Sequence, residues 1–160
     1  MTGGWAIIAN YETHWLGTLG RCGLHWMIVE DEADIRALVS TMATIWGHTP
    51  FQFESGGKAW EWLDTVVAGT NTKPLPEFAL MDIRMPGKRG DEVAKRLREI
   101  PQFVNIPIVL MTAFVLTDEE RRNMLEVSGV DAIINKPLPD FMQLREILHN
   151  VIDKKREQST

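Results

Sequence analysis

Residues Phe78-Ala79-Leu80-Met81 form a short apolar run with no periodicity, and the run stops at Asp82, ahead of a Met85-Pro86-Gly87 turn signal. A segment apolar on both alternate faces is a strand covered on both sides, which places it inside a parallel sheet with helices above and below. Asp82 then stands at the carboxyl end of an inner strand, the edge where open α/β sheets bind their ligands. An aspartate here can also do no more than cap the following turn. Which of the two holds depends on what the rest of the chain brings to the same edge.

The pattern repeats on both sides of this run. His25 to Val29 reads as a first strand and leads into Glu30-Asp31-Glu32, after which Ile35, Leu38, Val39, Met42 and Ile45 recur at helical spacing as far as Gly47. Thr49 to Glu54 gives a second strand, and Ala59, Leu63, Val66 and Val67 line a second helix, with Trp60 and Trp62 as packing residues. After Gly90, Val93, Ala94, Leu97 and Ile100 mark a third helix that Pro101 ends. Ile106 to Met111 is a fourth strand finishing at Thr112-Ala113, and Thr117 with Glu120 matches the box that caps a fourth helix, through Arg121, Met124 and Leu125. Ala132 to Asn135 is the fifth strand, ended by Lys136-Pro137; Asp140 caps a last helix with Phe141, Leu144, Ile147, Leu148 and Val151 inward. Alternating strands and helices predict a doubly wound five-stranded parallel sheet with right-handed crossovers, a flavodoxin-like (βα)5 fold. The folded unit is expected over 25–155, with 1–24 as an N-terminal extension and 156–160 as a polar tail; Asp153 to Thr160 read as a frayed end.

At 160 residues the chain is long enough for one full core. A net charge of -5 with scattered Lys and Arg gives no concentrated basic face, which argues against direct nucleic-acid binding. Cys22 is the single cysteine, so no internal disulfide forms and a reducing cytoplasm is the expected home. No apolar run reaches membrane-spanning length, and no signal peptide is legible at the N-terminus. In the extension, Trp5, Ile7, Ile8, Tyr11, Trp15 and Leu16 are numerous enough to pack on something, a second copy of the chain in a homodimer among the candidates. His14 and His25 lack companions at metal-ligand spacing and read as exposed or half-packed.

The residues just past the strands form a set: Glu30 and Asp31 after the first, Asp82 after the third, Thr112 after the fourth, Lys136 after the fifth. In a doubly wound order these ends line one crevice. Carboxylates so close together repel and take up protons unless a cation offsets them, and oxygen ligands of this kind select a hard ion such as Mg2+. Singly, each residue has a plain reading: capping acids, a turn threonine, a solvated lysine. Jointly those readings leave charged groups gathered at an apolar sheet edge for no purpose.

In these motifs the chain resembles the receiver domains of two-component response regulators, over about His25 to Lys155: Glu30-Asp31, Asp82 with Met85-Pro86-Gly87, Thr112-Ala113 and Lys136-Pro137. The resemblance implies that Asp82 is a phosphoacceptor served by the phosphohistidine of a sensor histidine kinase or histidine phosphotransfer protein. It implies Mg2+ (or Mn2+) as cofactor, held by Asp31, Asp82 and the backbone carbonyl of Arg84, with Glu30 acting through water. Thr112 and Ala113 would bind the phosphoryl group with Lys136, and the Lys136-Pro137 bond would be cis. The partner face would be the fourth helix, fifth strand and fifth helix. With no output domain read after the last helix, a stand-alone regulator is expected, one that is not an enzyme beyond slow self-dephosphorylation. One position departs from the pattern. An aromatic residue three before the site lysine usually serves as a rotamer switch, and here it is Ile133. Phe114 and Arg84, two residues past Thr112 and Asp82, flank the place where hydrolytic water should enter. The alternative is a receiver-like interaction scaffold that takes no phosphate. Two small-enzyme readings fit less well. Glu30-Asp31-Glu32 would repel a flavin phosphate, and Arg84 stands where a dehalogenase-type phosphatase needs its second acid.

Overall fold

The computed structural model describes residues 23–160. Strands β1 (His25–Val29), β2 (Thr49–Phe53), β3 (Phe78–Asp82), β4 (Ile108–Thr112) and β5 (Ala132–Asn135) alternate with helices α1 (Ala33–Ile45), α2 (Gly56–Val67), α3 (Gly90–Glu99), α4 (Asp118–Glu126) and α5 (Phe141–Gln158). A 3-10 turn, Pro101–Phe103, follows α3. All strand pairs are parallel, in the order β2-β1-β3-β4-β5. The predicted doubly wound flavodoxin-like sheet is the observed one. The aromatics of the extension and His14 lie outside the described residues.

The strand residues divide cleanly by parity, as a pleated sheet requires. Met27, Val29, Ala79, Met81, Ile108 and Leu110 face α2, α3 and α4, where Leu63, Val93, Leu97 and Met124 cover them. Trp26, Ile28, Phe78, Leu80, Val109 and Met111 face α1 and α5, under Val39, Ala43, Leu144 and Leu148. β3 and β4 are buried at every residue, which explains their unbroken apolar sequences.

Several helix faces are turned from their expected orientation. Leu38 and Ile45 in α1 are 50% and 65% exposed, and the buried residues there are Val39, Ser40 and Ala43. Val67, Leu125 and Ile147 likewise point outward. Small residues that let a helix approach the sheet determine the contact, and hydrophobic spacing alone does not weigh them. The C-terminal end corrects the expected fraying: α5 runs to Gln158, held by Ile152 in the core and by Lys155 Nζ donating to Asp131 Oδ1 at 2.9 Å. Leu24, expected in the extension, is buried, and its carbonyl accepts from the Thr49 N–H.

Below the sheet, at the amino ends of the strands, a hydrogen-bonded relay joins β1, β2 and α5. The Leu24 N–H donates to His48 Nδ1 at 3.1 Å, His48 Nε2 meets His149 Nε2 at 3.0 Å, and His149 Nδ1 lies 2.7 Å from the Arg145 carbonyl. A carbonyl only accepts, so His149 carries its proton on Nδ1. His48, whose Nδ1 accepts from Leu24, carries its own on Nε2. Burial, then the charges of His149, Arg145 and Arg156, lower the His48 pKa to about 4.

A group whose folded pKa lies below its unfolded value as a base binds protons more readily when unfolded, so its stabilisation is complete above about pH 6.5 and is lost as the pH falls towards 4. Chemical denaturation across that interval should show wild type losing up to about 3 kcal/mol more than a His48→Asn variant.

Candidate functional site

Each strand end delivers one element of the site. β1 stops at Val29, and the buried Glu30 follows; its backbone N–H donates to the Phe53 carbonyl, so the acidic turn begins as a continuation of the sheet. Asp82 is the last residue of β3 and Thr112 the last of β4; both are buried. Lys136 follows β5 directly, its N–H donating to the Thr112 carbonyl at 2.7 Å. The Lys136–Pro137 peptide is cis. Gly90 lets α3 start against the acidic strand end, since a Cβ there would stand 2.2 Å from the Asp82 carbonyl oxygen.

The side chains converge. Carboxylate oxygens of Glu30, Asp31 and Asp82 lie within 4.8 Å of one another. Lys136 Nζ sits 2.7 Å from Glu30 Oε2, 3.6 Å from Asp82 Oδ1 and 3.7 Å from Glu32 Oε1, with its side chain only 9% exposed. Asp82 Oδ1 also accepts from the Ile83 N–H at 3.0 Å, which orients the carboxylate. Burial raises the pKa of Glu30 and of Asp82, and each is pushed further by a neighbouring carboxylate: Asp82 in the first case, Asp31 in the second. For Lys136, burial opposes the charge, but the Glu30 hydrogen bond and the charges of Asp82, Glu30 and Glu32 prevail and raise its pKa. One ammonium among this many acids leaves excess negative charge, and three oxygen donors at this spacing fit a hard divalent ion.

Around this nest the remaining predicted residues fall into place unevenly. Ala113 is exposed on the turn after Thr112, whose Oγ1 accepts from the Phe114 N–H at 3.0 Å. Arg84 is exposed on the turn after Asp82, its guanidinium stacked on Phe114. Ile133 is half-buried in β5, opposite Leu110, and packs with the α3 and α4 side of the core. His25 is half-packed and 3.6 Å from Glu77 Oε1, away from the acidic set. One contributor was missed: Arg36 on α1 donates to the Glu30 carbonyl at 2.7 Å and to the Asp31 carbonyl at 3.5 Å, clamping the acidic turn. Its only trace in the sequence is a basic residue one turn into the helix that follows the acids.

The family model described as the response regulator receiver domain matches residues 26–149. The chain belongs to this family. Among relatives of the receiver domain, the polar-differentiation response regulator DivK of Brucella ovis is 31% identical over 119 residues, which span 73% of this chain and 89% of that protein. Hybrid signal transduction histidine kinase D of Dictyostelium discoideum is 36% identical over 83 residues, 52% of this chain but only 5% of that protein. Among solved structures, the receiver domain of sensor histidine kinase PA1611 from Pseudomonas aeruginosa, with a magnesium ion coordinated in its active-site cleft, superposes with a TM-score of 0.66 at 23% identity, covering 82% of this chain and 98% of that one. This receiver domain is therefore part of two-component signalling, and among its described residues no helix is long and apolar enough to cross a membrane.

The raised carboxyl pKa values carry a sign. A group held protonated above its unfolded pKa destabilises the fold once pH forces it to ionise. Removing one charge should therefore help: without divalent ions at pH 7, Asp82→Asn is expected to melt at a higher temperature than wild type, by scanning calorimetry. Magnesium should stabilise wild type, by about 1.4 kcal/mol at tenfold over its dissociation constant, and stabilise the variant much less.

Proposed function

We propose that Asp82 takes a phosphoryl group from the phosphohistidine of a sensor histidine kinase or histidine phosphotransfer protein, and that the receiver domain then changes shape to engage a protein partner. The observation that carries this reading is the pairing of a buried, oriented carboxylate with a buried lysine at 3.6 Å, beside two further acids. In the transfer an Asp82 oxygen forms a bond to phosphorus in line with the phosphorus–nitrogen bond that breaks, and the departing imidazole keeps the electron pair and takes up a proton. Lys136 contributes a fixed ammonium to the phosphoryl oxygens as their charge redistributes. The Thr112 hydroxyl, which now accepts from Phe114, has its own proton free to donate to a phosphoryl oxygen. Asp31 and Asp82, with the Arg84 carbonyl and with Glu30 through water, would hold Mg2+ or Mn2+. When bound, that ion supplies charge neutralisation at the phosphoryl oxygens. Glu30 is already committed to Lys136, which suits it to the outer role.

Turnover as a phosphatase is not expected. A general acid would have to stand near position 84, and that position holds an arginine. DivK, matched over 89% of its length, contains little beyond the aligned region, which supports a regulator acting through a separate partner. The face of α4, β5 and α5 is the surface proposed for that partner.

Incubation with acetyl phosphate and Mg2+ should add one phosphoryl mass to wild type by intact-mass spectrometry and none to Asp82→Ala; an unlabelled wild type would favour a phosphate-independent scaffold. The bulk of Arg84 and Phe114 at the site mouth should slow hydrolysis. The acyl phosphate is expected to survive several times longer in wild type than in an Arg84→Ala, Phe114→Ala double variant, and an equal or shorter lifetime would refute that role.

A further inference from the structure

The turns that follow Asp82 and Thr112 meet in one contact. The Arg84 guanidinium carbon lies 3.7 Å from the centroid of the Phe114 ring, in cation–π geometry. Phe114 is 47% exposed, so the ring is held by this cation more than by a core. On its other side Phe114 is tied to the site itself, because its N–H donates to Thr112 Oγ1. The contact also has an electrostatic backing at the start of α4, whose first turn carries Asp118, Glu119 and Glu120. Glu120 is held below the usual carboxylate range first by its hydrogen bonds with Thr117 and then by the charges of Arg84 and Arg89. Arg84 thus joins the phosphoacceptor strand end to the turn that precedes the fourth helix, while position 133 offers only a half-buried isoleucine.

Resting on the reading of Asp82 as phosphoacceptor, we propose that Arg84 is a two-position sensor: it lies on Phe114 while Asp82 is a free carboxylate and swings to the phosphoryl oxygens once Asp82 is esterified, releasing Phe114 and the first turn of α4. A phosphoryl group offers concentrated negative charge and several acceptor oxygens that the bare carboxylate lacks. The planar guanidinium fork matches those oxygens, and charge-assisted pairing of this kind outweighs a stack on one exposed ring. The same event draws the Thr112 hydroxyl towards the phosphoryl oxygens, so both tethers of Phe114 change together. Arg84 is a positioning residue here, and α4 is the element it moves.

The test uses beryllofluoride with Mg2+, a phosphoryl mimic that does not hydrolyse, so water access plays no part. By calorimetry, Arg84→Gln should bind it about tenfold more weakly than wild type, having lost a charge-assisted partner. Phe114→Leu should bind it about two- to fivefold more tightly, because the competing resting place of Arg84 is gone. In both variants the amide NMR signals of Asp118 to Arg121 should, before any addition, already lie near the positions that wild type reaches only with beryllofluoride. Affinities that move in the same direction, or α4 amides unaltered in the free variants, would overturn the sensor while leaving the phosphoacceptor reading intact. A wild type that binds no beryllofluoride would overturn that reading first, and the sensor with it.

Discussion

The 2.7 Å contact between Lys136 and Glu30 is the interaction on which the site depends. Each group alone would be expensive to bury, and together they remain a pair that must be kept aligned to break even. Alignment comes from the backbone: Glu30 is fixed by its N–H to Phe53 and its carbonyl to Arg36, and Lys136 by its N–H to Thr112. The ion pair therefore welds the first and fifth strand ends, with the third and fourth between them. Asp82 faces the same ammonium from 3.6 Å, close enough to feel its charge and too far to be consumed by it. That spare capacity leaves the carboxylate available for the nucleophilic role proposed for it.

The sheet makes this arrangement possible by being unambiguous elsewhere. Two apolar layers, with strand parity assigning each side chain to one of them, leave no freedom of register for β3 and β4. Asp82, paired with Met111, and Thr112, one residue further on, must then end their strands at the same edge. The close approach at Gly90 shows how little slack remains, since a side chain there would collide with the Asp82 backbone.

Much of this was legible in the residues. Apolar runs broken by polar strand ends gave the order of elements, and the spacing of Glu30, Asp31, Asp82, Thr112 and Lys136 gave the site, because a parallel sheet maps strand ends onto one edge. Three things were not legible. The inward faces of the helices depend on small residues such as Ser40 and Ala43, which hydrophobicity ranks below the exposed Leu38 and Ile45. The length of α5 depends on Lys155 finding Asp131, a tertiary pairing that local polarity hides. Arg36 acts through backbone carbonyls, which carry no sequence signature at all.

The two ends of the sheet handle buried polarity in opposite ways, and the contrast says where the domain can change. At the amino end, His48 and His149 are hydrogen-bonded to one another. Nearby, Arg98 donates to the carbonyls of Phe103, Val104, Ile106 and Gly129 and to Asp131, which also takes Ile108 N–H and Lys155. A network satisfied from within rigidifies what it joins. At the carboxyl end the acids outnumber their ammonium partner, and the pKa values of Glu30 and Asp82 rise, first through burial and then through repulsion from a neighbouring carboxylate. A site left short of positive charge gains most from an incoming cation or a rearranged guanidinium. In the proposed reading, ligand binding redistributes energy at this edge while the opposite end holds the sheet fixed, and the parts that move are the turns after β3 and β4 and the first turn of α4.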